Sequence, residues 1–285
     1  MPQETNLNVA PYFDDFDIND NYCKILFKPG LPVQARELTG IQSILQSQIE
    51  RFGNHIFKEG ASVTGGGIRY NGTYTSVRIQ QFNEGTDVET YISDLVGQVV
   101  IGSESGVKAK ITNFIGLALD DPWYVLFVTY LNSGGEDNQI FNGGESLLLD
   151  NLVLDTQSGL TFQPGEPVAQ TTIEDPCLDG CAAVLSAGIY YVKGYFIDVP
   201  EQTLILDPYT NEVDWKVGLE VDEGIVNADL DETLKDNAAG FSNYTAPGAD
   251  RLHIKVRLKA IDIEEEKPSN FIQLMEIREG DLVSI

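Results

Sequence analysis

The residues with the most obvious chemical reach are carboxylates. In DDFDINDNYCKILF, Asp15, Asp17 and Asn19 follow the D-x-[DN]-x-[DN] order of a calcium loop. The match stops there, because the sixth position is Asp20 where the sharp turn needs glycine, and the twelfth is Leu26 where a bidentate glutamate is needed. The segment therefore reads as a solvated, Asx-rich turn. A second acidic group (Asp222, Glu223, Asp229, Asp231, Glu232 and Asp236) has no fixed ligand spacing and reads as a charged face, with Asp229 or Asp231 capping a helix. CLDGC sets Cys177 and Cys181 four apart, with Cys23 distant. A tetrahedral zinc site would have to recruit His55 or His253, and neither belongs to an H-x3–5-H pair. Structural thiols near a turn are the expectation, with a transient disulfide as the alternative.

Nucleophile and phosphate motifs are imitated rather than present. Gly102-Ser103-Glu104-Ser105-Gly106 carries Glu104 where a nucleophile elbow needs serine. GGGIRYNG and AAGFSNYTAPGAD are rich in glycine but lack the Lys-Ser/Thr of a phosphate loop, so they read as turns. With 44 acidic residues, any carboxylate pair drawn from the sequence as a glycosidase couple would be coincidental. The expectation is a protein that is not an enzyme and takes no cofactor and no metal. One recognition feature remains: Trp123, Tyr124 and Tyr130 in WYVLFVTY could form an aromatic platform for host glycans, or simply be core residues of a strand.

The background for these residues is strongly acidic. The chain of 285 residues carries 18 Lys+Arg against 44 Asp+Glu, a formal net charge of −26. Phosphate recognition needs clustered cations, so nucleic acid is excluded as a partner, and repulsion disfavours anionic lipid. No apolar run approaches the roughly 18 residues of a membrane-spanning helix, and the N-terminus does not resemble a secretory signal. Three cysteines do not make a disulfide framework, which fits assembly in a reducing cytoplasm. A hydrophobic content of 42% is enough for real cores.

Four segments organise the chain. Residues 1–32, interrupted by Pro2, Pro11, Pro29 and Pro32, read as an extended arm whose aromatics Tyr12, Phe13, Phe16, Tyr22 and Phe27 pack on another surface, such as a neighbouring subunit. Residues 33–84 hold one prominent helix, Gln34 to Phe52, and the first strands of a main β-domain. In the helix, Leu38, Ile41, Leu45 and Phe52 recur every three or four residues, Gln48 fills the gap, Ile44 and Ile49 widen the face, and Gly53 is placed as a C-terminal stop. Two roles stand equally for this helix, a core helix on a sheet or a short bundle around an oligomer axis. The Asn71-Gly72 pair is read as a hairpin turn. Residues 85–158 read as an inserted small β-barrel or sandwich, with turns at Gly102 to Gly106, Asp120-Asp121-Pro122 and Ser133-Gly134-Gly135. Residues 159–285 complete the main β-domain, and its apolar close GDLVSI, without a polar tail, looks cut off rather than finished.

In RLHIKVRLKAIDI, apolar residues from Leu252 to Ala260 alternate with Arg251, His253, Lys255, Arg257 and Lys259. The four Lys and Arg on that face either pair with acidic neighbours, such as the Asp262 to Glu266 run, or dock an acidic partner. The fold expected is mainly β with one prominent N-terminal helix, β-sandwich or barrel domains and an extended arm.

Several segments together carry a resemblance: NVAPYFDDFD, ILFKPGLPVQARELTGIQSILQSQIERFGNHIFKEGASV, GIYYVKGYFIDVPEQTLILD, VGLEV and DNAAGFSNYTAPGADRLHI. Over about residues 6–84 and 159–285 the chain resembles the N-terminal region of virion tail proteins of contractile-tailed bacteriophages, notably those of cyanobacteria and other marine bacteria. The resemblance implies a non-enzymatic tail component, located in the virion tail and assembled in the host cytoplasm, that fastens a fibre or wedge component to the baseplate. It also implies a homotrimer, other tail and baseplate proteins as partners, and Leu38, Ile41, Leu45, Ile49 and Phe52 at or near a three-fold axis.

Overall fold

The computed structural model describes residues 5–117, 122–133, 139–150 and 153–285. Helix α1 (Ala35–Ile56) follows the arm, and the rest of the described chain is almost entirely strand and turn. In chain order the strands are β1 (Ser62–Gly65), β2 (Ile68–Ile79), β3 (Phe82–Asn83), β4 (Thr86–Asp87), β5 (Val99–Gly102), β6 (Lys108–Ile115) and β7 (Tyr124–Asn132). Then come β8 (Ser146–Leu149), β9 (Leu154–Asp155), β10 (Thr161–Phe162), β11 (Pro167–Gln170), β12 (Cys177–Leu185), β13 (Gly188–Val192) and β14 (Tyr195–Val199). The last five are β15 (Gln202–Asp207), β16 (Trp215–Val226), β17 (Arg251–Asp262), β18 (Phe271–Arg278) and β19 (Asp281–Ser284).

The expected fold class is the observed one: mainly β, with one N-terminal helix and several antiparallel sheets. An eight-stranded sheet has the order β11-β8-β5-β6-β7-β2-β12-β15, and a four-stranded sheet the order β17-β16-β18-β19. The first six strands of the larger sheet curl round until a bridge joins Thr171, just past β11, to Ile79 at the end of β2. The Gln80 N–H donates to the Gln170 carbonyl at 2.8 Å, and the Thr172 N–H to the Arg78 carbonyl at 3.0 Å, closing the seam of a small barrel. Its core runs from Val77 and Ile79 through Leu95, Ile111 and Leu126 to Ala169. The barrel thus borrows the end of β2 and all of β11, outside the 85–158 read from the sequence. A second core joins β12, β13 and β16 to β18, with Leu185, Val192, Leu219 and Met275 at its centre.

Long strands β2 and β12 run through both cores, since Val77 lines the first while Ile68 and Tyr70 pack on the second. Asn71-Gly72 makes no hairpin turn. It lies inside β2, where Gly72 and Thr73 together oppose the single residue Cys181, a β-bulge held by the Asn71 Oδ1 accepting the Thr73 N–H at 3.1 Å. Two-residue hairpin turns with both residues at positive φ are instead Glu84-Gly85 between β3 and β4, Lys193-Gly194 between β13 and β14, and Glu279-Gly280 between β18 and β19. Of the other turns expected, Gly102 to Gly106 is present, with Gly106 at φ +68°, while Asp120, Asp121, Gly134 and Gly135 lie outside the described residues.

Candidate assembly surface

Helix α1 begins where the Glu37 carboxylate accepts the Gln34 backbone N–H at 2.9 Å. It does not stop at Gly53 but continues to Ile56. Gly53 is a contact glycine: a Cβ built there would lie 2.5 Å from Cε2 of Tyr191 and 2.6 Å from its hydroxyl oxygen. That approach lets the Tyr191 hydroxyl donate to the Glu50 carbonyl (3.0 Å) and Asn54 Oδ1 (2.8 Å), while Gln46 Nε2 donates to the Gly194 carbonyl (2.7 Å). The second half of α1 is therefore fastened to the β13–β14 hairpin by its narrow, polar side. Burial raises the pKa of both the Glu50 carboxyl and the Tyr191 phenol.

The arm clasps the first half of the same helix. Asp14 is buried and accepts from the Ser43 hydroxyl, Asp15 pairs with Arg36 at 2.6 Å, and the tip of Ile25 sits over Gly40. Phe16 and Ile18 enclose a small cavity with Ile44 and Ser47. At its other end the arm rests on the four-stranded sheet, where the Thr5 N–H donates to Glu223 (2.9 Å) and the Tyr12 hydroxyl to Asp250 (2.5 Å). That bond, more than burial, raises the Tyr12 pKa. Of the five aromatics, Tyr12 and Phe16 are half-buried against the chain itself, whereas Phe13, Tyr22 and Phe27 are exposed.

Gly40, Ile44, Ser47 and Gly53 are the buried residues of α1, so of the apolar face for which a core role and a bundle role stood equally, Ile44 turns inward and most of the stripe points outward. Leu38, Leu45, Ile49, Phe52 and Ile56 are between 45% (Ile49) and 68% (Phe52) exposed, and Ile41 is half-buried. Small residues let the helix lie close to its own chain, and the large apolar residues are left free. Leu26, Phe27, Leu31 and Val33, just before the helix, are exposed as well.

The other candidate residues are dispersed. Tyr124 is fully buried in the barrel, with its hydroxyl near Asp87 (3.2 Å) and Glu89 (3.3 Å). Tyr130, half-buried, packs on Phe141 and meets Cys177 Sγ at 3.4 Å, so of the three rings Trp123 is the most exposed, at 38%. Alternation along β7 sends Tyr124 inward with Leu126 and Val128, which rules out one shared aromatic platform. Cys177 and Cys181 are on strand β12 rather than at a turn, with free thiols whose pKa burial pushes up. Asp17 makes the expected Asx turn, accepting the Asn19 N–H at 2.9 Å. Asp231 caps a short 3-10 turn through the Thr233 N–H at 2.9 Å. Among the described residues no group of three His, Cys, Asp or Glu could hold a metal ion.

On β17, Arg257 pairs with Asp222 and, at 3.5 Å, with Glu220, while Lys259 reaches Glu220 at 2.5 Å. The acidic neighbours are thus on β16, not in the Asp262 to Glu266 run. Arg251 donates to the Ala249 carbonyl at 2.6 Å, and Lys255 stands opposite Asp222 in the β16–β17 register. Buried charge is used to brace the fold. Glu145, 1% exposed, accepts the N–H groups of Glu104, Ser105 and Asn142 and the Ser105 hydroxyl, all within 2.9 Å. Sequence reasoning passed over it because nothing marks one carboxylate among 44 as buried.

A protein family described as a domain of unknown function (DUF4815) matches residues 10–115 and 152–285. The chain belongs to this family. No curated protein and no solved structure matches it. The arm from residue 10 and all of α1 lie within the part that DUF4815 covers, whereas Trp123, Tyr124 and Tyr130 fall in the stretch between the two matched segments. Among the described residues no helix is long and apolar enough to cross a membrane.

Proposed function

We propose that this DUF4815 protein is a non-enzymatic structural subunit of a bacteriophage tail, assembled in the host cytoplasm, that fastens a fibre or wedge component to the baseplate by packing between subunits. The observation that carries this reading is the outer face of α1. A chain with a net charge of −26 that leaves Leu38, Leu45, Ile49, Phe52 and Ile56 in a row in solvent has a surface suited to being covered by protein. Phe13, Tyr22 and Phe27 of the arm extend that surface. The resemblance of the sequence to tail proteins supplies the setting and the homotrimer. A glycan-binding role draws less support, because Tyr124 is buried.

Antibodies raised against the chain should label the tails of purified particles whose genome encodes it. Replacing Phe13, Tyr22 and Phe27 together by serine should abolish incorporation while the purified variant keeps its circular dichroism spectrum. Particles that lack the chain, or that incorporate the triple variant normally, would overturn the proposal.

A further inference from the structure

The exposed residues of α1 have a period that the buried ones lack. Leu38, Gln42, Leu45, Ile49, Phe52 and Ile56 are spaced alternately four and three apart, the average of 3.5 that defines a coiled-coil seam. In heptad notation Leu38, Leu45 and Phe52 take d positions, and Gln42, Ile49 and Ile56 take a positions. Of the residues that face the chain itself, Gly40, Ile44 and Ser47 occupy the opposite f and c positions, and Gln46 and Gly53, held by the β13–β14 hairpin, occupy e on one flank. The helix thus has two separate sides, one docked within the chain and one with the pattern of a helix-to-helix contact.

Charge tells what covers that contact. Two copies of a chain with a net charge of −26 repel each other unless the touching surfaces carry little charge. The flanking e positions of the seam are Thr39, Gln46 and Gly53, and the g positions are Ile41, Gln48 and His55, with no carboxylate among them. The charged residues Arg36, Glu37, Glu50 and Arg51 all fall at b and c, away from it. A seam that selected a different partner would be expected to carry complementary e and g charges, and this one carries none to select with.

The polar a position sets the orientation. In a parallel, in-register pair, Gln42 meets Gln42 of the second copy and the two amides can satisfy each other. In an antiparallel pair centred on the stripe, Gln42 would fall against Phe52 and lose its hydrogen bonds. We infer that α1 is the site at which a second copy of this chain docks, parallel and in register, with Gln42 as the residue that fixes the alignment. This rests on the proposed reading of the outer face of α1 as an assembly surface between subunits, and adds to that the parallel, in-register geometry of the contact and the residue that fixes it.

The test uses the full chain. Light scattering at micromolar concentration should give two or three times the 31.4 kDa of one chain, and Leu45→Glu should return it to 31.4 kDa with its circular dichroism unchanged. In a Cys23→Ser background, Gln42→Cys should form a disulfide between copies under copper-catalysed air oxidation, whereas Arg36→Cys at a b position should not. A wild-type monomer, or an oligomer unaffected by Leu45→Glu, would overturn the inference. An oligomer in which Gln42→Cys does not cross-link would overturn the parallel register. Each of these results is independent of whether the chain is found in phage tails, so the two proposals can fail separately.

Discussion

Replacing Gly53 by alanine tests how α1 is held. On helix propensity alone the change is favourable, because alanine in a helix interior is about 1 kcal/mol better than glycine. The structure predicts the opposite sign. The added methyl would lie 2.5 to 2.7 Å from three atoms of Tyr191, a ring that cannot swing away freely because it is fully buried and packs on Phe57 and Phe196 at centroid distances of 5.7 and 5.3 Å. Overpacking of this kind costs about 1–3 kcal/mol, and displacement of the ring would break the hydroxyl's bonds to Glu50 and Asn54, worth about 1 kcal/mol each. Against the propensity gain, the net effect is a loss of about 2–4 kcal/mol in the docking of α1. Because the helix can open without unfolding either core, the assay is hydrogen exchange of amides in residues 46–56. At 1.4 kcal/mol per tenfold, exchange there should accelerate about 30- to 700-fold. In a Tyr191→Ala background, with the ring gone, the same substitution should become neutral or protective. Slower exchange of the single variant Gly53→Ala would show that the close approach does not govern docking.

Three further outcomes follow from buried and hydrogen-bonded groups. Glu145→Ala would leave three backbone N–H donors without their acceptor, so the urea midpoint should fall by the equivalent of about 2–4 kcal/mol at unchanged m; a loss below about 1 kcal/mol would mean the carboxylate does not hold the 102–106 turn. Asp87 has its pKa lowered, chiefly by accepting the Glu89 N–H, so its contribution is complete above the unfolded value near pH ~4 and is lost as pH falls through the lower folded value; thermal midpoints of Asp87→Asn should flatten on that acid limb, and curves parallel to wild type would contradict the assignment. Native protein should react rapidly with maleimide at the exposed Cys23 only, with Cys177 and Cys181 reacting after unfolding, and a second fast label on the native chain would show that β12 is more open than described.

Local chemistry decided which parts of the fold were legible in the sequence. The alternation from Leu252 to Ala260 was readable because one face of β17 is buried and the other is not, and a period of two has no other explanation over that length. The Asn71-Gly72 pair misled because the same small, turn-prone residues that close a hairpin also relax a bulge. Only the partner strand, with Cys181 facing two residues, distinguishes them. The barrel boundaries were blurred for a related reason: β2 is one continuous strand of 12 residues serving two cores, and no turn marks the point where it passes between them.

Helix α1 shows where such legibility ends. Its stripe of large apolar residues was plain, yet apolar period reports only that a face needs covering, not whether the cover comes from the same chain. What settled that for the single chain was the small residues, which carry no hydrophobic signal: Gly40 admits Ile25, and Gly53 admits Tyr191. Close approach at those two points uses up the narrow side of the helix and leaves the wide side unpartnered within the chain. A helix docked by its large residues would need a broad apolar groove on the β13–β14 hairpin, whereas this one needs only room for a tyrosine. The same two glycines that look like weaknesses in a helix are therefore what frees Leu38, Leu45, Ile49, Phe52 and Ile56 for contact with another chain.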